Sequence, residues 1–162
     1  MNGAIVAYHS KTGTTRRIAK LVASFLGCDI DAIRSANEPG GLFGIVSAGL
    51  NVLTGHSGPV DVKHDPADHN VVIVGTPVWA GKAAGPVLAY LRRFKNSFDE
   101  LAFFSTSGMT GGAGAFVEME RTAGMVPVAK LDVLGIDLAS GSETAKVERF
   151  TDQIKDATGN SG

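Results

Sequence analysis

The chain has 162 residues, 44% apolar and 19% charged, a balance that excludes disorder and suits one soluble globular domain. Fifteen Lys and Arg against sixteen Asp and Glu leave a net charge of −1, which excludes a nucleic-acid-binding surface and an acidic tail. The single cysteine, Cys28, allows no internal disulfide, no signal-peptide pattern opens the chain, and no apolar run approaches the roughly 18 residues of a membrane span. A cytoplasmic domain is expected, large enough to bury roughly 70% of its unfolded surface without a metal or disulfide.

In chain order, Ala4 to Tyr8 is a continuous apolar run that predicts a strand buried on both faces. A hydroxyl-rich stretch from Ser10 to Thr15 follows, then an amphipathic helix whose apolar positions are Ile18, Leu21, Val22, Phe25 and Leu26, closed by Gly27. Cys28 to Ile33 alternates as a second strand. The segment 35–70 is too long for a simple crossover and reads as an insertion. It holds an apolar helical face (Leu42, Ile45, Val46, Leu50, Leu53) and a turn-rich end at 55–59. Val71 to Val74 predicts the third strand, ended by Gly75-Thr76-Pro77, and Val87, Leu88, Leu91 and Phe94 a helix after Gly81. Leu101 to Phe104 predicts the fourth strand and 107–114 a Gly-rich loop. A helix over 115–122, a strand over 129–136, a last helix over 143–157 and a frayed tail at 158–162 complete the chain. Strands alternating with helices specify one α/β domain, a parallel sheet with helices on both faces.

In such a sheet ligands bind outside the carboxyl ends of the strands, and the unusual residues cluster in the loops after strands one, three and four. Ser10, Lys11, Thr12, Gly13, Thr14 and Thr15 place four hydroxyls and one glycine at a helix N-terminus, where unpaired N–H groups and the helix dipole favour an anion. Helix capping alone is the plainer alternative, but a cap needs only one hydroxyl. A Walker loop and the three-glycine dinucleotide fingerprint are both missing, which favours a phosphate monoester. Thr76, Pro77, Val78, Trp79, Ala80 and Gly81 carry the chain's one Trp, either a flat stacking face or a core residue under the loop. Ser107, Gly108, Met109, Gly111 and Gly112 lie in a loop that permits close backbone approach to a ligand.

Ser10-Lys-Thr-Gly-Thr-Thr15 resembles the phosphate loop of the flavodoxin family, and Gly75-Thr-Pro-Val-Trp-Ala-Gly81 is similar to the loop that flanks its flavin ring. The likeness extends over roughly residues 3 to 157. It implies a flavodoxin-like three-layer, doubly wound, five-stranded sheet of order 2-1-3-4-5. It also implies non-covalent FMN, its phosphate on residues 10–15 and its ring between 76–81 and 107–114, with Trp79 stacked on one face. In many flavodoxins a Tyr of the later loop covers the other face; here that loop has no aromatic, leaving Met109, backbone or Phe43 of the insertion.

The expected function is electron transfer, with no catalytic side chain and no metal. The partner is a redox protein or a small-molecule acceptor, the protein a monomer or homodimer. An NAD(P)H-dependent FMN reductase acting on quinones or similar acceptors is the alternative, and a flavin-free binding module a third reading. Lys11, Arg16, Arg17 and Lys82 surround the expected site, and neither flanking loop holds a carboxylate. A less negative potential for full reduction than in acid-ringed carriers is expected. His9, His56, His64 and His69 read as solvated or locally hydrogen-bonded, and Cys28 as a buried, inert strand residue.

Overall fold

The computed structural model describes residues 3–35 and 60–159. Strand β1 (Ala4–Tyr8) is buried along its whole length. Helix α1 (Thr14–Leu26) buries Ile18, Val22 and Leu26, and stops at Gly27, whose left-handed backbone (φ 63°) lets Cys28 N–H reach back to the Ala23 carbonyl at 3.1 Å. Strands β2 (Asp29–Ala32), β3 (Arg34–Ser35) and β4 (Val60–Asp61) follow, then a 3-10 turn at Pro66–Asp68. Strand β5 (Val71–Trp79) pairs with the short β6 (Lys82–Ala83), and α2 (Gly85–Arg93), β7 (Glu100–Ser107), α3 (Ala113–Ala123) and β8 (Ala129–Leu134) come next. Two helices, α4 (Gly135–Ser140) and α5 (Glu143–Gly159), end the described chain.

The main sheet has the order β2-β1-β5-β7-β8, all parallel, with β6 antiparallel on the end of β5. Counting its five main strands alone, this is the expected order 2-1-3-4-5. The strand alternation sorts side chains into two cores. Ile5, Val72, Val74, Leu101 and Phe103 pack under α2 and α3 through Val87, Leu91 and Met119. Val6, Ile73, Phe104, Leu131 and Val133 pack under α1 and α5 through Ile18, Val22, Phe150 and Ile154. Fully burying a side chain such as Phe103 or Phe104 is worth about 1.5–3 kcal/mol of transfer free energy. Among the described residues, no helix is long and apolar enough to cross a membrane.

Several boundaries differ from the sequence reading. Strand β5 does not stop at Val74 but continues through Gly75-Thr76-Pro77 to Trp79, so most of the expected second loop is strand. Pairing with β1 ends at Gly75, so Pro77 sits where β5 has one open edge, a position that tolerates its missing N–H. Gly75 answers to packing, since a Cβ there would come within 2.0 Å of the Phe104 ring. The last strand ends at Leu134 rather than Ile136, because the Asp137 carboxylate accepts the Leu134 N–H at 2.8 Å and starts α4, a helix absent from the sequence reading. Helix α3 begins at Ala113, two residues early. Cys28 lies just outside β2, half-buried, and burial lifts its thiol to about 11.

The two ends of the insertion meet as the antiparallel pair β3–β4. Asp31 on β2 fastens the returning chain: its Oδ2 accepts the N–H groups of Lys63 and His64 at 2.7 and 2.8 Å. The apolar face at 42–53, Phe43 and His56 lie outside the described residues.

Candidate functional site

The carboxyl ends of β1, β5 and β7 are neighbours in the sheet, which brings the three expected segments to one edge. The first is the turn from β1 into α1. Gly13 is the N-cap at φ 99°, a left-handed conformation that favours glycine, and no side chain caps the helix. The first helical bond runs from Arg17 N to the Gly13 carbonyl at 2.9 Å. The N–H groups of Thr14, Thr15 and Arg16 therefore emerge at the helix tip without an intrahelical acceptor. Ser10 Oγ accepts the Gly13 N–H at 3.1 Å, which keeps the turn closed and leaves the Ser10 hydroxyl proton free to donate. Lys11 and Thr12 are exposed, and Thr14 is half-buried.

Thr15 has a different role. Its side chain is buried, and its Oγ1 lies 2.8 Å from that of Thr106 on β7. That hydroxyl is occupied in tying α1 to the sheet, leaving the Thr15 backbone N–H at the tip. The sequence reading did not single out Thr106.

The second segment is a β-hairpin. Trp79 pairs with Lys82 across the two-residue turn Ala80-Gly81, whose φ values of 50° and 75° are both positive, as a type I′ turn requires. Ala80 is the one described non-glycine residue with positive φ. Thr76, Pro77 and Val78 are buried, and Thr76 Oγ1 both donates to the Pro77 carbonyl and accepts the Ala84 N–H, at 2.9 Å each. Burial of the whole residue leaves all three little surface to offer a ligand. Trp79 is 46% exposed, so it is a surface ring rather than a core residue. Lys11 Nζ stands 5.3 Å from its centroid, a cation–π contact, and His9 meets it edge-on at 6.3 Å. His9 is buried, its Nδ1 2.9 Å from the Ile33 carbonyl, and it braces the indole from within.

The third segment is the turn from β7 into α3. Ser107 Oγ accepts the Gly111 N–H at 3.2 Å, and Gly111 has a left-handed φ of 70°. Asp132 on β8 holds the turn from below: its Oδ2 accepts the Gly112 N–H at 2.9 Å and its Oδ1 the Ser105 hydroxyl at 2.6 Å. The space is closely filled, since a Cβ on Gly112 would lie 2.0 Å from Ser105 Oγ. Gly108 and Met109 are exposed, Met109 at 90%, so its side chain is not packed against the described residues.

The hairpin and third segment are also joined. A Cβ on Gly114 would meet the Gly81 carbonyl at 2.7 Å, and Glu118 of α3 accepts the Ala83 N–H at 3.2 Å. Asp132 and Glu118 are carboxylates that the loop sequences alone did not reveal, because they reach the site from β8 and α3. Among the described residues no group of His, Cys, Asp and Glu is arranged to hold a metal ion.

No protein-family model and no curated protein matches the sequence. Solved structures do. A flavoprotein of Lactobacillus acidophilus NCFM, determined in complex with FMN, is 18% identical with a TM-score of 0.63, covering 88% of this chain and 99% of that one. A flavodoxin of Streptococcus pneumoniae TIGR4 is 16% identical with a TM-score of 0.61, covering 95% and 98%. A flavodoxin, WrbA-like protein of Agrobacterium tumefaciens is 16% identical with a TM-score of 0.52, covering 92% and 94%. At these identities the likeness establishes the architecture: the chain has the flavodoxin-like fold.

Proposed function

We propose that the protein binds FMN non-covalently and passes electrons through it. The carrying observation is the uncapped tip of α1, where the N–H groups of Thr14, Thr15 and Arg16 and the hydroxyls of Ser10, Thr12 and Thr14 surround a glycine turn. That donor set fits a phosphate dianion, because every group in it can donate and none is a carboxylate. The exposed Trp79 indole beside it fits a stacked planar ring, with the Ala80-Gly81 turn beyond Thr76, Pro77 and Val78 on one side and the turn of Ser107, Gly108, Met109, Gly111 and Gly112 on the other as the flanking edges.

Bound FMN would supply the one- and two-electron chemistry. The chain's part is binding and orientation. The α1 tip fixes the phosphate end, Trp79 sets the plane of the ring, and Asp132 keeps the third turn in place. Lys11 holds a positive charge on the Trp79 side, which favours an added negative charge nearby. The expected partners are a redox protein or a small-molecule acceptor.

A specific observation favours a second reading, the NAD(P)H-dependent reductase. Met109 is 90% exposed and no aromatic lies in its turn, so among the described residues no side chain of that turn closes the face opposite Trp79 to a nicotinamide and an acceptor.

FMN added to the protein should lose its fluorescence on binding. Trp79→Ala should weaken that binding by about 1–3 kcal/mol, the range of base–aromatic stacking. FMN that stays fluorescent at micromolar protein contradicts the reading. NADPH then separates the two roles: bleaching of the bound flavin with turnover on a quinone identifies the reductase, and no bleaching the carrier.

A further inference from the structure

The exposed charges of the chain are sorted between the two ends of its parallel sheet. Over residues 9–16, 80–85 and 108–114, at the carboxyl ends of β1, β5 and β7, the charged side chains are Lys11, Arg16 and Lys82, all exposed. None of the three has an ion-pair partner among the described residues. Carboxylates reaching this edge from other elements are engaged: Asp132 with the Gly112 N–H and the Ser105 hydroxyl, Glu118 with the Ala83 N–H, Glu143 with Arg17, and Asp137 with Lys146. At the opposite end of the sheet, Asp29, Asp68 and Asp99 are exposed at or just before the starts of β2, β5 and β7. Helices α1, α2 and α3 also start on the site edge, so the positive ends of their dipoles add to the same sign. A chain of net charge −1 thus turns a positive end outward at its candidate site.

Exposed apolar side chains gather on the same edge. Of the five large ones among the described residues, Trp79, Met109 and Ile136 lie here. The Gly135 N–H donates to the Gly108 carbonyl at 3.1 Å, which joins the turn bearing Met109 to the start of α4 bearing Ile136. A flavin stacked on Trp79 would take that ring and leave Met109 and Ile136 bare. Their surface gains from being covered, and an apolar centre inside a charged rim is the make-up of a protein–protein interface.

We propose that this edge docks an acidic protein, whose carboxylates meet Lys11, Arg16 and Lys82 and whose apolar side chains cover Met109 and Ile136. The sign of the rim selects the partner, because a basic face would be repelled on approach. An anionic membrane fits less well, since membrane-binding polybasic segments carry about 4–8 Lys and Arg. Two copies of the chain related by a two-fold axis would set like charges against each other. As a route for electrons the docking rests on the flavin reading; as a binding surface it does not.

The test is isothermal calorimetry at low ionic strength, on protein saturated with FMN, or on the protein as purified if it takes no flavin. The probes are an acidic plant-type [2Fe–2S] ferredoxin and a basic c-type cytochrome of similar size. The ferredoxin should bind, weakening by roughly tenfold or more on going to physiological salt, and the cytochrome should not. Lys82→Glu and Met109→Ser, both on exposed side chains, should weaken the ferredoxin complex by roughly tenfold and roughly threefold. Lys95→Glu makes the same charge change just beyond the far end of α2 and should leave the complex intact. Absence of ferredoxin binding overturns the proposal, as does equal binding of the cytochrome or an equal loss in Lys95→Glu. Binding to phosphatidylserine vesicles in place of the ferredoxin, or a dimer that Met109→Ser disperses, overturns it in favour of a membrane or a second copy. Failure of FMN to bind, with ferredoxin binding intact, would remove the flavin reading and leave the docking surface. FMN binding without ferredoxin binding would do the reverse.

Discussion

The hydroxyls of Thr15 and Thr106 lie 2.8 Å apart, in the core, across 91 residues of sequence. Through this bond the start of α1 is positioned by β7, the strand that also leads into the third segment of the site. Anion binding at the α1 tip and the position of the Gly-rich turn are thereby mechanically linked.

Thr15→Val keeps the shape and removes the bond, leaving the Thr106 hydroxyl buried without its partner. The cost is about 1–3 kcal/mol of stability, measured by urea unfolding. FMN affinity should also fall, because the helix tip is no longer anchored. A variant with unchanged midpoint and unchanged affinity would show that the contact carries neither role.

Gly75→Ala should be among the most damaging single-methyl additions in the chain. The new Cβ would come within 2.0 Å of the Phe104 ring, which is fully buried and cannot retreat into a packed core. Overpacking of this kind costs about 1–3 kcal/mol or more. A lowered urea midpoint, rescued in part by Gly75→Ala with Phe104→Leu, is the expected pattern.

Gly75 also shows where the sequence was legible and where it was not. The five-strand rhythm and the parallel sheet with helices on both faces were readable, because buried parallel strands write themselves as apolar runs and helices as a 3.6-residue period, whereas the sheet order came only from the resemblance to the flavodoxin family. The Gly-Thr-Pro run was read as a loop because glycine and proline punctuate chains locally. Phe104 packing and a one-sided edge allow them inside β5, and neither is visible from the run itself. The short α4 escaped because its start depends on one carboxylate, Asp137, folding back on Leu134.

The site divides the same way. Ser10, Gly13 and Trp79 could be singled out as candidates because their residue types are informative on their own. Thr106, His9 and Asp132 were not, since each acts through a partner distant in sequence: Thr15, Ile33 and Gly112. The four hydroxyls of the first turn looked equivalent in the sequence, yet Thr15 points into the core.

Lys11 sits over the Trp79 ring at 5.3 Å and is exposed. Lys11→Glu replaces a positive with a negative charge next to the proposed flavin. The expected effect is a shift of the potential to more negative values by some tens of millivolts, an interaction of about 1 kcal/mol at intermediate dielectric. The shift should shrink at high salt. Spectroelectrochemistry on the FMN-loaded protein measures it, and an unchanged potential would remove Lys11 from the flavin's surroundings.

Asp137 predicts a pH dependence. The Lys146 ammonium at 2.6 Å, followed by the Leu134 N–H, holds its carboxyl below the ordinary value. A carboxylate with a lowered folded-state pKa adds stability above its unfolded value of about 3.9, and loses it as the pH falls through the folded one. The stability gap between the protein and Asp137→Asn should therefore be full at pH 7 and close as the pH is lowered below about 4. A gap constant down to pH 2 contradicts this.

The central claim is that the tip of α1 holds a phosphate dianion. Titration of flavin-free protein with FMN and with riboflavin, followed by flavin fluorescence, tests it most directly, since the two ligands share the ring and differ in the phosphate. FMN should bind more tightly by on the order of 100-fold, the scale of two or more charge-assisted hydrogen bonds. Equal affinity for the two ligands would contradict it.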